Sequence, residues 1–512
     1  MANGNRKGWF GLPWFEVRPE PETVSCVLSG GGARASFQIG ALAYLYRHDP
    51  KFTPTVFVGT SAGSILAAGL SQYSTAAEQR KWVDRIGDVW LAMTTSDDLF
   101  TARPWFAKLQ DEGPTWLDLV TPKPPEAPKQ PPRPLLPFRK ADPIPPLSPE
   151  TPGDPWEWAL NPDQELRAEW SLGTLTSLMG GLRQLPRIGT ELNAIWHGAE
   201  RSRSLYRPGP VLLTLLEPET FDPQKVSASG MTLRLAMVAL ESGELRYVTE
   251  TGAMVDRNNR PVGDHTADLT TAVLASCAIP AVFRPVPIGD ETYVDGGARE
   301  NLPAELAIGH LGASRNYVIS SQTIGLERGR NMADADLFSI VMRSTEILID
   351  EAGRDELAYA YSAGAIVIHP EVPVHTSMTV HPGLLEINHD YGWLRAAEQT
   401  LGLDEAEQAR HATIVRNRVA CVQWEERFAV DPTPEVLAEL GRLKRELRSL
   451  VAGSTTGALP PQADSWWKGF ERHSQHLDVP AFWLPSGPVP REDGNQTPSR
   501  PETEAPGKAA AT

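Results

Sequence analysis

The sequence predicts an α/β protein with a mostly parallel central sheet, and three observations point to it. Short apolar, β-branched runs alternate with longer segments of helical periodicity, the order that a layered sheet-and-helix core produces. The first short run stops at three glycines and passes straight into a helical pattern, and the second leads through a glycine-flanked turn into another. The chain has 512 residues, of which 41% are hydrophobic, enough to bury a large core and to exclude global disorder.

Taken in order, Val24-Ser25-Cys26-Val27-Leu28-Ser29 reads as a buried strand, and Phe37, Ala41, Tyr44 and Leu45 recur at helical spacing up to Arg47. Val56-Phe57-Val58 is a second short strand, and the apolar run Ser64–Leu70 suits a buried helix. Leu233–Leu240 and Leu245–Thr249 flank Ser242-Gly243 as the arms of a hairpin. Tyr293-Val294 lead into Asp295, and Tyr317–Ser320 is a further strand. Long helical patterns run over Asp336–Ala363, Glu405–Phe428 and Glu435–Val451.

Two breaks interrupt this order. Fourteen of the 46 prolines fall in the 35 residues Thr121–Pro155, which rules out regular helix or central strand there and predicts a polyproline or unstructured insertion. Two P-x-x-P-x-R patterns within it, Pro128 to Arg133 and Pro134 to Arg139, suit docking on an aromatic groove, although a solvated cover is the expected role. From Ser486 the composition reads as a disordered tail. The expected organisation is an aromatic N-terminal segment at 1–20 and a main domain at 21–425 carrying the 121–155 insertion. A helical extension at 426–485 and a tail at 486–512 follow.

The 48 Lys and Arg against 64 Asp and Glu give a formal charge of −16, which argues against nucleic acid as a partner. It also disfavours long-range attraction to anionic lipid. Cys26, Cys277 and Cys421 lie far apart without C-x-x-C spacing and read as buried free thiols in a reducing compartment. No secretory pattern opens the chain and no run of about 18 apolar residues occurs, so a cytoplasmic protein with at most peripheral membrane contact is expected.

Three segments carry chemistry. Gly59-Thr60-Ser61-Ala62-Gly63 fits G-x-S-x-G, a turn from strand to helix that lifts a serine hydroxyl clear of the backbone and sets it at the positive end of a helix. Gly30-Gly31-Gly32-Ala33-Arg34 follows the first strand, and consecutive glycines let main-chain N–H groups converge as an anion site. A nucleotide cradle fits poorly, because G-x-x-x-x-G-K-[ST] is absent and Ala35 breaks G-x-G-x-x-G; with a nucleophile elbow just downstream, an oxyanion hole fits better. The third segment runs from Ala275-Ser276-Cys277-Ala278-Ile279-Pro280 through Phe283 and Pro285 to Asp295-Gly296-Gly297 and Asn301-Leu302-Pro303. An aspartate at a strand end before two glycines is well placed to point into a crevice, although Asp-Gly-Gly alone usually reads as just a turn, and Asn301 reads as a helix N-cap.

Together and in this order, these segments resemble the patatin-like phospholipase family. The resemblance runs from about Val24 to Ser320, and more weakly to Asp390-Tyr391-Gly392 and Arg395-Ala396. It implies a three-layer α/β/α fold and a Ser–Asp dyad without histidine. Ser61 takes the nucleophile role and Asp295 the base role. The N–H groups of Gly31 and Gly32, with Gly30 or Arg34 as a further donor, take the oxyanion role, while Gly59 and Gly63 support the serine motif and Gly296 and Gly297 the aspartate motif. The family usually has glycine where this chain has Ala35, and a methyl group there is expected to restrict the loop. No cofactor or metal is implied. The implied reaction is hydrolysis of a phospholipid or another lipid ester.

Two other readings remain. A third catalytic group could come from His369, His375, His381 or His389, as in α/β-hydrolases acting on small esters, although loop or surface positions are the default and H-E-x-x-H is missing. An inactive patatin-fold scaffold that binds lipid or partners is the other. Trp9, Phe10, Trp14 and Phe15, and Trp466, Trp467 and Phe470, suit either interfacial contact or packing on the body, with packing favoured.

Overall fold

The computed structural model describes residues 22–108, 203–325, 332 and 337–480. The proline-rich segment, the aromatic residues Trp9, Phe10, Trp14 and Phe15, and the tail from Ser486 lie outside them. Met1–Thr101 with Arg207–Thr512 form one compact unit and Ala102–Tyr206 another. In the smaller unit, Arg103 Nε donates to Ser204 Oγ at 2.8 Å, and the Phe106 and Tyr206 rings meet edge to face.

The larger unit holds a ten-stranded sheet. Its strands are β1 (Val24–Leu28), β2 (Val56–Thr60), β3 (Thr232–Ala239), β4 (Leu245–Thr249), β5 (Ala253–Val255), β6 (Pro261–Thr266), β7 (Val286–Ile288), β8 (Glu291–Asp295), β9 (Arg315–Ile319) and β10 (Ile366–Ile368). The helices used below are α1 (Ala35–His48), α2 (Ala62–Leu70), α3 (Ala76–Leu91), α4 (Leu269–Ser276), α5 (Leu337–Ser362), α6 (Pro382–Leu401), α7 (Glu405–Val430) and α8 (Pro434–Ala452). Strands β10, β9, β1, β2 and β3 are parallel neighbours in that order. Antiparallel β4, β5 and β6 extend the sheet beyond β3, with the β3–β4 hairpin at the predicted place.

Strands β1 and β2 are buried at every position, which is why they read as continuous apolar runs rather than alternating ones. One face, with Val27, Val58, Ala236, Val318 and Val367, packs under Leu357 and Ala360 of α5 and the turn at Leu302–Ala307. On the other face Tyr317 meets Phe52, which in turn packs on Tyr46 of α1. Helices therefore lie on both sides of a sheet whose centre is parallel, the α/β/α layering expected.

Helix α6 carries no clear periodic signal because it is buried on most of its surface. It lies so close to α1 that a Cβ on Gly40 would strike the His389 carbonyl, and one on Gly392 the Phe37 carbonyl. Helices α7 and α8 complete the helical C-terminal region. Trp466 and Trp467 are buried against Ile414, Leu447 and Val451, so packing, not an interfacial role, accounts for them. All three cysteines are free and buried. Among the described residues no helix is long and apolar enough to cross a membrane.

Candidate active site

The sheet register brings Ser61 and Asp295 together. Strand β2 runs parallel to β3 and ends with Thr60 opposite Ala236. Strand β8 approaches from the other direction and ends with Asp295 opposite Met237. Since β4 occupies the other edge of β3 over Arg234–Val238, β2 and β8 share one edge and abut end to end. Ser61, the residue after β2, is thereby placed beside Asp295, more than 230 residues away in sequence.

Ser61 sits at φ 54° and ψ −127° as the N-cap of α2, a strained conformation for a residue with a Cβ. The turn closes only because its flanks are bare: a Cβ on Gly59 would meet the Gly63 carbonyl, and one on Gly63 the Leu28 carbonyl. A clamp from the A-S-x-A stretch holds the strained residue. Ser276 Oγ accepts the Ser61 N–H at 3.1 Å and lies 2.5 Å from Ser64 Oγ, while Cys277 Sγ donates to the Ser61 carbonyl at 3.2 Å. No local pattern assigns these two side chains a role; their small polar groups next to a buried helix end are the one signal in the sequence. Burial, and then the charge of Asp295, push the Cys277 thiol well up, so it stays a donor.

Asp295 is 5% exposed. Burial raises its carboxyl from the usual 3.8 to about 6, against the opposing pull of the Ser61 hydroxyl and the Gly297 N–H. The Gly297 N–H reaches Asp295 Oδ1 at 2.8 Å, and the Asp295 N–H donates to Ala278 O at 3.0 Å, tying β8 to the same stretch that clamps the serine. Gly296 is held against Ala236 of β3, where a side chain has no room.

The glycine loop is ordered by specific bonds. The Gly30 N–H goes to the Asn301 carbonyl at 3.1 Å, the Ala33 N–H to the Ser377 carbonyl at 2.8 Å, and the Arg34 N–H to the Gly31 carbonyl at 3.1 Å. Gly31 and Gly32, unlike Gly30 and Arg34, donate no hydrogen bond through their N–H groups among the described residues. Gly32 has φ +55°, and its place against Ser377 leaves no room for a Cβ. Ala35 does not restrict the loop as expected. It is the first residue of α1, at φ −59° and ψ −17°, a conformation any residue adopts.

Asn301 is not a helix N-cap. It lies in a turn ahead of the helical residues that begin at Ala304, with its side chain amide beside Gly30 and Gly297. Glu356 of α5 accepts the Asn301 and Leu302 N–H groups at 2.9 and 2.8 Å, a contact that no local pattern announces.

Among the described residues none of the four clustered histidines is hydrogen-bonded to Ser61 or Asp295. His369 is buried rather than at the surface, with Nδ1 on the Pro370 carbonyl and Nε2 on the Tyr361 hydroxyl, both at 3.0 Å. Burial, with help from nearby Arg34 and His381, lowers His375 to about 4. His389 lies 3.6 Å from Asp390. His381 caps α6, its Nδ1 accepting the Leu384 N–H at 3.3 Å. His381, Glu426 and His473 bring possible ligand atoms within 4.8 Å of one another. The cap bond, however, leaves the His381 proton on Nε2, facing Glu426 at 3.4 Å, and His473 Nε2 is on Glu425 at 2.8 Å. Two of the three candidate ligands, His381 through Nδ1 and His473 through Nε2, are thus already used by bonds outside the trio.

A family model for patatin-like phospholipase matches residues 26–308, more than half of the chain. No curated protein matches. Among solved structures, VipD from Legionella pneumophila is 13% identical, with 88% of this chain and 83% of that chain covered at a TM-score of 0.25. The complex of ExoU and SpcU from the type III secretion system of Pseudomonas aeruginosa gives 16% identity, 88% and 75% coverage and a TM-score of 0.22. Likenesses as low as these carry no argument about chemistry.

Proposed function

Since the chain belongs to the patatin-like phospholipase family, whose members are generally lipid acyl hydrolases, we propose that it cleaves fatty-acyl esters through a Ser61–Asp295 dyad. The observation that carries this reading is the end-to-end meeting of β2 and β8 on one edge of β3, which sets a strained serine beside a buried aspartate. A carboxyl raised to about 6 is ionised at neutral pH yet a better base than an exposed one, which suits proton abstraction from a serine.

In the mechanism, Asp295 takes the Ser61 hydroxyl proton as Oγ attacks the ester carbonyl. The negative oxygen of the tetrahedral species is received by the Gly31 and Gly32 N–H groups and by the N-terminus of α2. Collapse expels the alcohol or lysolipid, which takes the proton from Asp295. Water, deprotonated by Asp295, then attacks the acyl-enzyme; the bond to Ser61 Oγ breaks, Oγ recovers the proton from Asp295, and the fatty acid is released. The chain's own groups cover every step, so no cofactor or metal enters this scheme. The partner proposed is the lipid ester itself, met as a phospholipase A or lysophospholipase meets it, with peripheral membrane contact during turnover.

Ser61→Ala should abolish labelling by a fluorophosphonate probe, and both it and Asp295→Asn should lower hydrolysis of a short-chain ester at least about 10³-fold. Near-normal turnover by a folded Asp295→Asn protein would remove the dyad from consideration.

A further inference from the structure

We infer that Glu356 is a positioning residue for the site, holding the turn Glu300–Leu302 on which all three catalytic segments converge. The inference rests on the dyad reading above and extends it to a helix outside residues 26–308. The turn touches each segment through its backbone. The Glu300 carbonyl accepts from Thr60 Oγ1, next to the nucleophile, at 3.3 Å. The Asn301 carbonyl accepts the N–H of Gly30, at the head of the oxyanion loop, at 3.1 Å. The Glu300 N–H donates to the Gly296 carbonyl, next to the dyad aspartate, at 2.9 Å.

The turn leaves two consecutive N–H groups, of Asn301 and Leu302, aimed at α5 with no backbone acceptor. Glu356 meets both, one carboxylate oxygen each, at 2.9 and 2.8 Å. A bidentate acceptor of this kind fixes the turn in position and in rotation, and without it two buried N–H groups would be left with no acceptor. A carboxylate is a costly choice here. Burial first, and the neighbouring Glu300 second, raise Glu356 to about 8, while the two N–H groups oppose the rise. Arg257, Arg299, Glu305 and Asp355 stand around the adjoining cavity, and no ion pair joins any of them to Glu356 among the described residues. A buried carboxyl used only by two backbone N–H groups is explained by what those groups hold.

The test compares Glu356→Ala, Glu356→Gln and the unaltered chain by ester kinetics and by hydrogen exchange. Glu356→Ala should lower kcat about 10- to 100-fold with KM within about twofold, as misplacement of catalytic groups does. Glu356→Gln, which can accept only one of the two N–H groups, should fall between. Exchange in Glu356→Ala should quicken at residues 29–34 and 297–303 and not in α6, α7 or α8. If Glu356→Ala does not fold, Glu356→Gln carries the same two measurements. Unchanged kcat with unchanged exchange at both segments would overturn the inference, and so would exchange that quickens throughout, the mark of a merely structural residue. Persistence of hydrolysis in Ser61→Ala would overturn the dyad instead, leaving the exchange result to judge Glu356.

Discussion

Two regions bury charge in opposite ways. Around the proposed dyad, Asp295, Glu300 and Glu356 are carboxyls pushed upward by burial, with no cation in an ion pair with Asp295 or Glu356 among the described residues. In the C-terminal helices every buried charge meets its opposite. Arg418 is held by both Glu471 oxygens at 2.8 Å and by Asp390 at 2.7 Å, and stacks over Trp466. Lys444 lies 3.1 Å from Glu425, whose other oxygen takes the Glu471 N–H and His473. Burial alone would lower Arg418 and Lys444, and their carboxylates carry both upward. The contrast teaches what each way of burying charge permits. Paired charges lock helices in register and are chemically inert, whereas an unpaired carboxyl keeps a proton affinity that a reaction can use.

The largest stability effect that tests this contrast is expected from unpairing the inert region. Arg418→Met strands Asp390 and Glu471 and should cost about 3–5 kcal/mol in urea unfolding. A loss under about 1 kcal/mol would show that the pairing does not hold the helices.

Asp295→Asn should act in the other direction. The rise from 3.8 to about 6 costs about 3 kcal/mol once the group is ionised, and the amide avoids it. Because the folded-state value lies above the unfolded one, the folded protein binds more protons between about pH 4 and pH 6, and stability falls as pH rises through that window. The variant should therefore be more stable than the parent at pH 8 and should lose the advantage towards pH 4. The same ionisation predicts kcat/KM rising with pH through about 6. Equal melting temperatures at pH 8 would mean that Asp295 is solvated or paired after all.

The smallest effect concerns backbone rather than charge. Ala35→Gly restores the usual family residue at a helical position, so it should cost about 0.5–1 kcal/mol and leave turnover within about twofold. A large gain in turnover would show that the site is constrained by its backbone as well as by its unpaired charge.

What the sequence determined by itself were the features encoded over a few residues. The runs at Val24 and Val56, the helices near Leu337, Glu405 and Pro434, and the hairpin at Ser242-Gly243 are legible because periodicity and turn chemistry act locally. The glycines around Ser61 and Gly32 are legible for the same reason: a forbidden Cβ constrains the residue itself. Helix α6 escaped because burial on most sides erases the amphipathic stripe. Only the tertiary structure decided that β2 and β8 share an edge of β3, that Gly30 and Arg34 spend their N–H groups within the fold, and that Asn301 serves the turn rather than a helix. Ser276, Cys277 and Glu356 likewise gain their roles from partners 54 to 216 residues away. Such roles depend on which buried donor lacks an acceptor, and that is settled only when distant segments pack and exclude water.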